Sequence, residues 1–430
     1  MLTLSETVPR IDMPRLAEAE SDHKFHAAAR FSLTNTLIDA ELQIDVVRDA
    51  ASLTALAPEW NNLFERGGRP SQVFQTHAFA TLFASTYHLG TSSTSPRHSC
   101  DCRLAIGTAR RDGRLVLIWP MVETRRFGMR SLSWLGAPLT QYGDVLLDPG
   151  EPAMETLAAA FTKIRAVVRP DAIRLRKVRS DAVVAPFLAN LGMMATEHVE
   201  APSVTLAAGG SPFEDRQNGK AKKNRRRLMR RLEERGTVVF REVLPGEATT
   251  AAIAAGLADK RDWLQRRGLV SPSLGDPNVD VFLDRAAADP KSATGCAVFE
   301  LTVDGRPVAF ALGFRCKRRL LLHMITYAHD MEKYGAGVLN LEAILRLAEA
   351  EGLEAVDLLP PKAEYKLDWA DVCVATADYQ LGLTARGRLV TAVVDGVLLP
   401  AIKTNIDRLP MPLRRRISAR ALARTVSTEA

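Results

Sequence analysis

YAHDMEKYGAGVLNLEAILRLAEAEGLEAVDLLPPKAEYKLDW, Tyr327 to Trp369, carries a glycine-bearing turn, a helix, a strand and a Tyr-Lys pair in that order. Before it, Leu320 to Tyr327 is an apolar run of strand length. Tyr334-Gly335-Ala336-Gly337 can aim backbone N–H groups from the start of the following helix, which makes an anion cradle of Gly335, Ala336, Gly337 and Val338. A plain turn or a close packing contact would use the same two glycines. From Val338 onward the period is helical: Leu341, Ile344, Leu345 and Ala348 fall on one face, and Glu342, Arg346 and Glu349 on the other. Gly352 is the stop signal, and Leu353 to Leu359 reads as the next strand.

Upstream, Cys296 to Val303, the turn Asp304-Gly305 and Pro307 to Phe314 read as a hairpin, with Leu320 to Tyr327 as its third strand. Hairpin, strand, phosphate turn, helix, strand resembles the GNAT acyltransferase fold. That resemblance implies an acyl-CoA lying between two splayed strands, its pyrophosphate on the helix N-terminus. The run Tyr327 to Gly337, then Asp357, Tyr365-Lys366 and Trp369, resembles more narrowly the C-terminal half of CelD/BcsL-like acetyltransferases, a group associated with cellulose and exopolysaccharide biosynthesis. Two departures stand out. Pro360-Pro361-Lys362-Ala363-Glu364 occupies the place of the group's Gly-x-Glu, and Ala336-Gly337 that of its Pro-Gly.

The chain has 430 residues, 47% of them hydrophobic, enough for more than one core. An internal repeat predicts two copies: Leu104 to Thr108, the turn Asp112-Gly113-Arg114 and Leu115 to Val122 reproduce the hairpin around Asp304-Gly305-Arg306. A helix over about 152–168 and a strand Ala172 to Lys177 follow. The fold class expected is α/β: two tandem GNAT-like acyltransferase domains, each a mixed, mostly antiparallel sheet flanked by helices. The expected boundaries are a weakly ordered extension 1–40, a first domain 41–205 on the acceptor side, a second domain 206–385 that binds acyl-CoA, and a basic tail 386–430. Asp148-Pro149-Gly150-Glu151 precedes the first helix, where carboxylates repel phosphate, so the first copy is read as degenerate for the donor. Tandem copies also resemble the FemABX peptidyltransferases.

The first copy has its own likeness to the CelD/BcsL-like group in Trp60, Val73 to Thr76, Leu135-Gly136 and Tyr142-Gly143-Asp144. Gln75, Tyr142 and Asp144 are candidates to bond hydroxyls of a sugar-like acceptor in an interdomain cleft, with turn and cap roles as the alternative. Trp60 and Phe74 are expected in the core.

Net charge is +7, and nine Lys or Arg against two Glu between Lys220 and Arg235 supply most of the excess. This stretch is helix-compatible, with Leu228 and Leu232 inward and Gly236 as the stop. It reads first as a solvated structural helix, second as a contact for anionic groups of CoA or a polysaccharide. Nucleic acid is disfavoured because aromatic interleaving is lacking. The five cysteines form no disulfide pattern, and His98, Cys100 and Cys102 lack a second pair of ligands, so no metal is expected. No secretory signal is read at the N-terminus and no apolar run is long enough to span a bilayer. The expected location is cytoplasmic, at most peripheral to the inner membrane.

Acyl transfer needs a deprotonated nucleophile, a stabilised oxyanion and a protonated leaving thiolate. Lys366 is the candidate for the oxyanion, Tyr327 for the thiolate and His323 for the base. Two-residue alternation puts His323 on one strand face with Ile325 and Tyr327. Asp357 is the candidate to orient these groups or act as a base, and Tyr365 to contact substrate. The activity expected is transfer of an acyl group, acetyl by resemblance, from CoA to an amine or hydroxyl of a sugar or envelope precursor. The alternatives are aminoacyl-tRNA-dependent transfer of the FemABX kind and a non-catalytic module of a polysaccharide synthase complex.

Overall fold

The computed structural model describes residues 42–90, 101–206, 212–271 and 273–422. The extension expected at 1–40, and His98 and Cys100, lie outside the described residues. The first half runs β1 (Leu42–Val47), α1 (Ala50–Ala55), α2 (Ala57–Gly67), α3 (His77–Thr86), β2 (Asp101–Leu104), β3 (Ile106–Arg111), β4 (Arg114–Trp119), β5 (Met121–Arg126), β6 (Met129–Trp134), β7 (Leu146–Leu147), α4 (Ala153–Val168), β8 (Ala172–Arg179), α5 (Ala185–Asn190) and β9 (Met194–Thr205). After α6 (Gly219–Glu233) the second half repeats the order with β10 (Val238–Val243), α7 (Glu247–Arg267), α8 (Pro277–Ala288), β11 (Cys296–Val303), β12 (Arg306–Cys316), β13 (Arg319–Tyr327), α9 (Ala336–Ala350), β14 (Ala355–Asp357), α10 (Glu364–Leu367) and β15 (Val372–Gly382). Helices α11 (Ala385–Val390), α12 (Leu399–Arg408) and α13 (Met411–Leu422) close the described chain.

Both halves are mixed sheets flanked by helices. The first-half hairpin is longer than its apolar core suggests. Its arms are β2 with β3 and β4 with β5, bent at Ala105 and Pro120 and kept together there by Ala105 N–H on the Met121 carbonyl at 3.0 Å. One sheet has the order β1-β3-β4-β7, the other β10-β11-β12-β13-β14-β9-β15-β8-β6-β5-β2. The last strand of each half is exchanged. β9 lies between β14 and β15, and β15 between β9 and β8, with registers Ala355↔Thr205, Val372↔Ser203 and Thr376↔Arg179. The described residues from Leu42 onward accordingly form one compact unit.

Strand β13 pairs in parallel with β14 from Arg319↔Ala355 only to Leu321↔Asp357, and then the two part. The strand expected over Leu353–Leu359 is therefore shorter. Leu359, at φ +57°, turns the backbone out of the sheet. On β13 a bulge opposite Leu312 and Gly313 leaves His323 without a cross-strand partner. The bulge reverses the alternation, which corrects one expectation. His323 faces Phe314 and Phe74, at ring distances of 5.7 and 6.3 Å, whereas Ile325 and Tyr327 pack on the opposite side, toward α9.

Helix α9 buries Leu341, Ile344, Leu345 and Ala348 against Phe299, Leu320, Leu322 and Val356. It starts two residues before Val338, directly after Gly335 at φ +71°, which a side chain rarely adopts. Trp60 and Phe74 are core residues. On α6, Leu232 is buried and Leu228 packs on the cluster of Leu301, Met331, Ala336 and Leu339. Arg225 is also buried, paired with Glu342 at 3.2 Å and stacked 4.3 Å over Trp369. The basic stretch is thus a packed helix, and one of its arginines holds it to α9 and the chain after α10. Helix α13 docks on α7, with Ser418 Oγ donating to the Leu269 carbonyl at 2.6 Å. Among the described residues no helix is long and apolar enough to cross a membrane, and no group of His, Cys, Asp and Glu could hold a metal ion.

Candidate active site

The opening between β13 and β14 begins at Asp357, a fully buried carboxylate. Its Oδ1 accepts from Tyr142 O–H at 2.8 Å and Leu359 N–H at 2.9 Å, and its Oδ2 from Arg179 at 3.4 Å. Burial raises the Asp357 carboxyl above the usual range, opposed chiefly by Arg179. Burial, then the Asp357 charge, pushes the Tyr142 hydroxyl well above its ordinary value. Tyr142 and Arg179 belong to the first half, so Asp357 pins the halves together at the point where the strands part. A carboxylate so enclosed orients its neighbours and meets no solvent.

Lys366, on α10, is buried and donates to the carbonyls of Leu359 at 2.7 Å and Pro361 at 2.9 Å, tying back the edge that has left the sheet. Burial, reinforced by the charge of Lys260, lowers its ammonium to about 8. On the other edge, Tyr327 O–H donates to Glu332 at 3.2 Å and accepts from Trp263 Nε1 at 3.3 Å. Tyr365 is 44% exposed beside Lys366. His323 is partly buried, its Nε2 2.9 Å from the Leu139 carbonyl, and burial pushes it down to about 4, so it is neutral near pH 7. With Nε2–H donated to a carbonyl, only Nδ1 of His323 is left to take a proton.

Two lysines that the sequence did not single out join this group. Lys260, on α7, donates to the Ile325 carbonyl at 3.1 Å and lies 4.6 Å from the Trp263 ring centroid. Lys177, on β8, donates to Gln141 Oε1 at 2.5 Å, and Gln141 lies 3.4 Å from His323. Burial lowers each to about 8. The sequence held one sign of this: Ile253, Leu257, Lys260 and Leu264 follow helical spacing, and the other three are buried, so a lysine stands in an apolar stripe.

The linkage sign follows from these shifts. A lysine whose pKa is lower folded than unfolded makes the unfolded chain bind more protons between about 8 and 10.4, so each lysine contributes stability that rises with pH there. The buried thiols of Cys296 and Cys316, pushed up to about 12, act in the opposite sense. The readout is therefore a difference. Lys260→Met is expected to gain stability over wild type at pH 7.5 and lose that advantage by pH 9.5 in denaturant titrations; a pH-independent difference would show that Lys260 is not a poorly solvated cation.

At the start of α9, Gly335 N–H is bonded to the Glu332 carbonyl and Val338 N–H to the Gly335 carbonyl, each at 3.0 Å. Helix geometry leaves the N–H groups of Ala336 and Gly337 without intrahelical acceptors. The last turn of α6 and the chain two residues beyond it lie alongside, with Arg231 and Arg235 5.5 and 5.7 Å from the Tyr334 ring centroid. Gly337 also has a packing role, since a Cβ there would sit 2.8 Å from Tyr327 Cδ1. Gly337→Ala is therefore expected to destabilise by about 1–3 kcal/mol through overpacking. In a Tyr327→Ala background the penalty should shrink, and an equal penalty in both backgrounds would place the strain elsewhere.

The equivalent opening of the first half is filled. Strands β6 and β8 pair at Ser131↔Ala172 and Leu132↔Ile173; beyond that, Trp134 Nε1 donates to the Arg176 carbonyl at 3.0 Å and Gly143 N–H to the Lys177 carbonyl at 3.1 Å. Asp148 pairs with Arg66 and Arg114, and Glu151 with Arg111. The expected repulsion of phosphate is thereby largely offset, and it is the loop carrying Tyr142 that closes this half. Gln75 Nε2 donates to the Tyr142 carbonyl at 2.8 Å, and Asp144 accepts from Gln72 and from the N–H groups of Val145, Val183 and Val184. Both side chains are buried and brace this loop from behind.

Residues 219–367, α6 through α10, match a family model described as an acetyltransferase (GNAT) domain. That part of the chain is a GNAT acetyltransferase-like domain. No curated protein matches the sequence. Among solved structures, the chain is similar to L-PGS from Bacillus licheniformis, at 14% identity over 84% of this chain and 96% of that one, with a TM-score of 0.48. It is similar also to a tandem GNAT protein from the clavulanic acid biosynthesis pathway, at 12% identity over 79% and 98% and a TM-score of 0.45. For FemX the values are 9%, 67% and 90%, with a TM-score of 0.46.

Proposed function

We propose that the chain transfers an acyl group from CoA to an amine or hydroxyl acceptor in the opening between β13 and β14. The observation that carries this reading is the parting of those strands after Leu321 and Asp357, beside a helix N-terminus with two N–H groups to offer. Pantetheine would lie along the exposed edges of the two strands, with the pyrophosphate on Ala336 and Gly337 and the charges of Arg231 and Arg235 nearby. The thioester would then sit between Tyr327 and Lys366.

Attack by the acceptor forms the new bond to the carbonyl carbon and moves an electron pair onto its oxygen, which the third N–H of Lys366 would stabilise. Collapse breaks the C–S bond, and the thiolate takes the Tyr327 proton. Nδ1 of His323 is the candidate to remove the acceptor's proton. Asp357 positions both edges without touching the reacting atoms. An acetyl donor, a sugar or exopolysaccharide precursor as acceptor, and a cytoplasmic setting near a polysaccharide synthase rest on the CelD/BcsL-like resemblance of Tyr327 to Trp369. In this reading residues 41–205 shape the acceptor side and residues 206–385 hold the donor.

Calorimetric titration with acetyl-CoA is expected to give one site per chain, because the first opening is filled by residues 135–145. Two equivalent sites would overturn the asymmetry. No binding of any CoA thioester would overturn the donor assignment.

A further inference from the structure

Lys177, Lys260 and Lys366 come from three separate elements, β8, α7 and α10. A chain of contacts brings the first two to β13. Lys177 bonds Gln141, Gln141 touches His323, Lys260 bonds the β13 carbonyl two residues after His323, and Trp263 beside Lys260 bonds Tyr327. The charges of Lys260 and Lys177 both act on Lys366. Among the described residues none of the three ammonium groups forms an ion pair, and each donates only to neutral oxygens. Of the carboxylates that act on them, Asp357 is engaged by Tyr142 and Arg179, and Asp378 by the Lys177 backbone N–H at 2.8 Å and Arg176 at 3.5 Å, while Glu197 also acts on Lys177.

Backbone strain holds the arrangement. Lys177 adopts φ +55° within a strand, and Leu359, whose carbonyl receives Lys366, adopts φ +57°. Positive φ in residues with a Cβ persists where surrounding bonds over-determine it. Those bonds are Asp378 and Gly143 on the Lys177 peptide groups, and Asp357 and Lys366 on those of Leu359. Buried cations that form no ion pair and donate only to neutral oxygens are costly unless a ligand supplies the negative charge.

We propose that Lys177 and Lys260 together bind an anionic group of the acceptor and leave the one free N–H of Lys366 to the oxyanion, so that the molecule acylated is acidic, with a phosphate or carboxylate close to its amine or hydroxyl. This rests on the acyl-transfer reading, with the donor's pyrophosphate held apart at the start of α9. It selects phosphorylated or uronate-type acceptors over neutral sugars.

The test is thermal unfolding of the full chain with inorganic phosphate, and separately with acetate, against chloride at equal ionic strength. Wild type is compared with Lys177→Met and Lys260→Met, two variants on different elements, and with Lys260→Arg. A saturable rise in Tm with phosphate or acetate, lost in both methionine variants and kept in Lys260→Arg, is the expected result, and the more effective anion names the acceptor group. No rise above chloride, or an equal rise in the methionine variants, overturns the site. CoA affinity of the same variants, measured by calorimetry, distinguishes the source. Unchanged affinity assigns the anion to the acceptor, whereas affinity lost in parallel assigns the cluster to donor phosphates and overturns the proposal. Phosphate stabilisation in a wild-type chain that binds no CoA thioester would sink the acyl-transfer reading and the acceptor assignment, leaving the anion site itself intact.

Discussion

Asp357→Ala is expected to cost the fold about 3–5 kcal/mol, the range for removing one partner of a buried charge network. The loss strands the Tyr142 hydroxyl and the Leu359 N–H without acceptors, and it leaves Arg179 paired only with Asp181, at 2.8 Å. Tyr142→Phe, which removes one donor, should cost about 1 kcal/mol. Because Tyr142 and Asp357 belong to different halves, a double-mutant cycle between them reads the coupling of the halves directly. Denaturant midpoints and slopes would check it. A loss from Asp357→Ala no larger than that from Tyr142→Phe would show that the carboxylate does not hold the junction.

The largest expected effect on activity is at Lys366. Lys366→Met removes the donor for the developing oxyanion and frees the carbonyls of Leu359 and Pro361, so turnover with acetyl-CoA should fall on the order of 10²-fold or more. CoA affinity should change little if the lysine acts mainly in the transition state. Weakened CoA binding with turnover preserved at saturation would make Lys366 a phosphate ligand. If neither constant moves, its carbonyl bonds are purely structural. Tyr327→Phe should lose less, because water can protonate a thiolate.

What could be read from the sequence was local. The glycine turn, the apolar face of α9, the Asp304-Gly305 hairpin and its first-half counterpart each lie within a few tens of residues, where periodicity and turn chemistry act alone. Leu228 and Leu232 on the inner face of α6 were legible for the same reason. His323 was misplaced because alternation assumes an unbroken strand, and a bulge of one residue reverses every side chain beyond it. Lys177 and Gln141 left no local trace. Their meeting with β13 depends on first-half segments reaching the second half.

The sequence by itself determined the two hairpins, the glycine turn before α9 and the apolar face of that helix, because these follow from side-chain spacing and backbone conformational preference. Only the tertiary structure decided that β9 and β15 would be exchanged, that residues 135–145 would fill the first opening, and that the charges of Lys177 and Lys260 would act on Lys366. Strand pairing between segments more than a hundred residues apart is selected by the burial and hydrogen bonding of the whole sheet. No short window of sequence encodes that selection, so the contacts across the exchanged strands became visible only with the sheet complete.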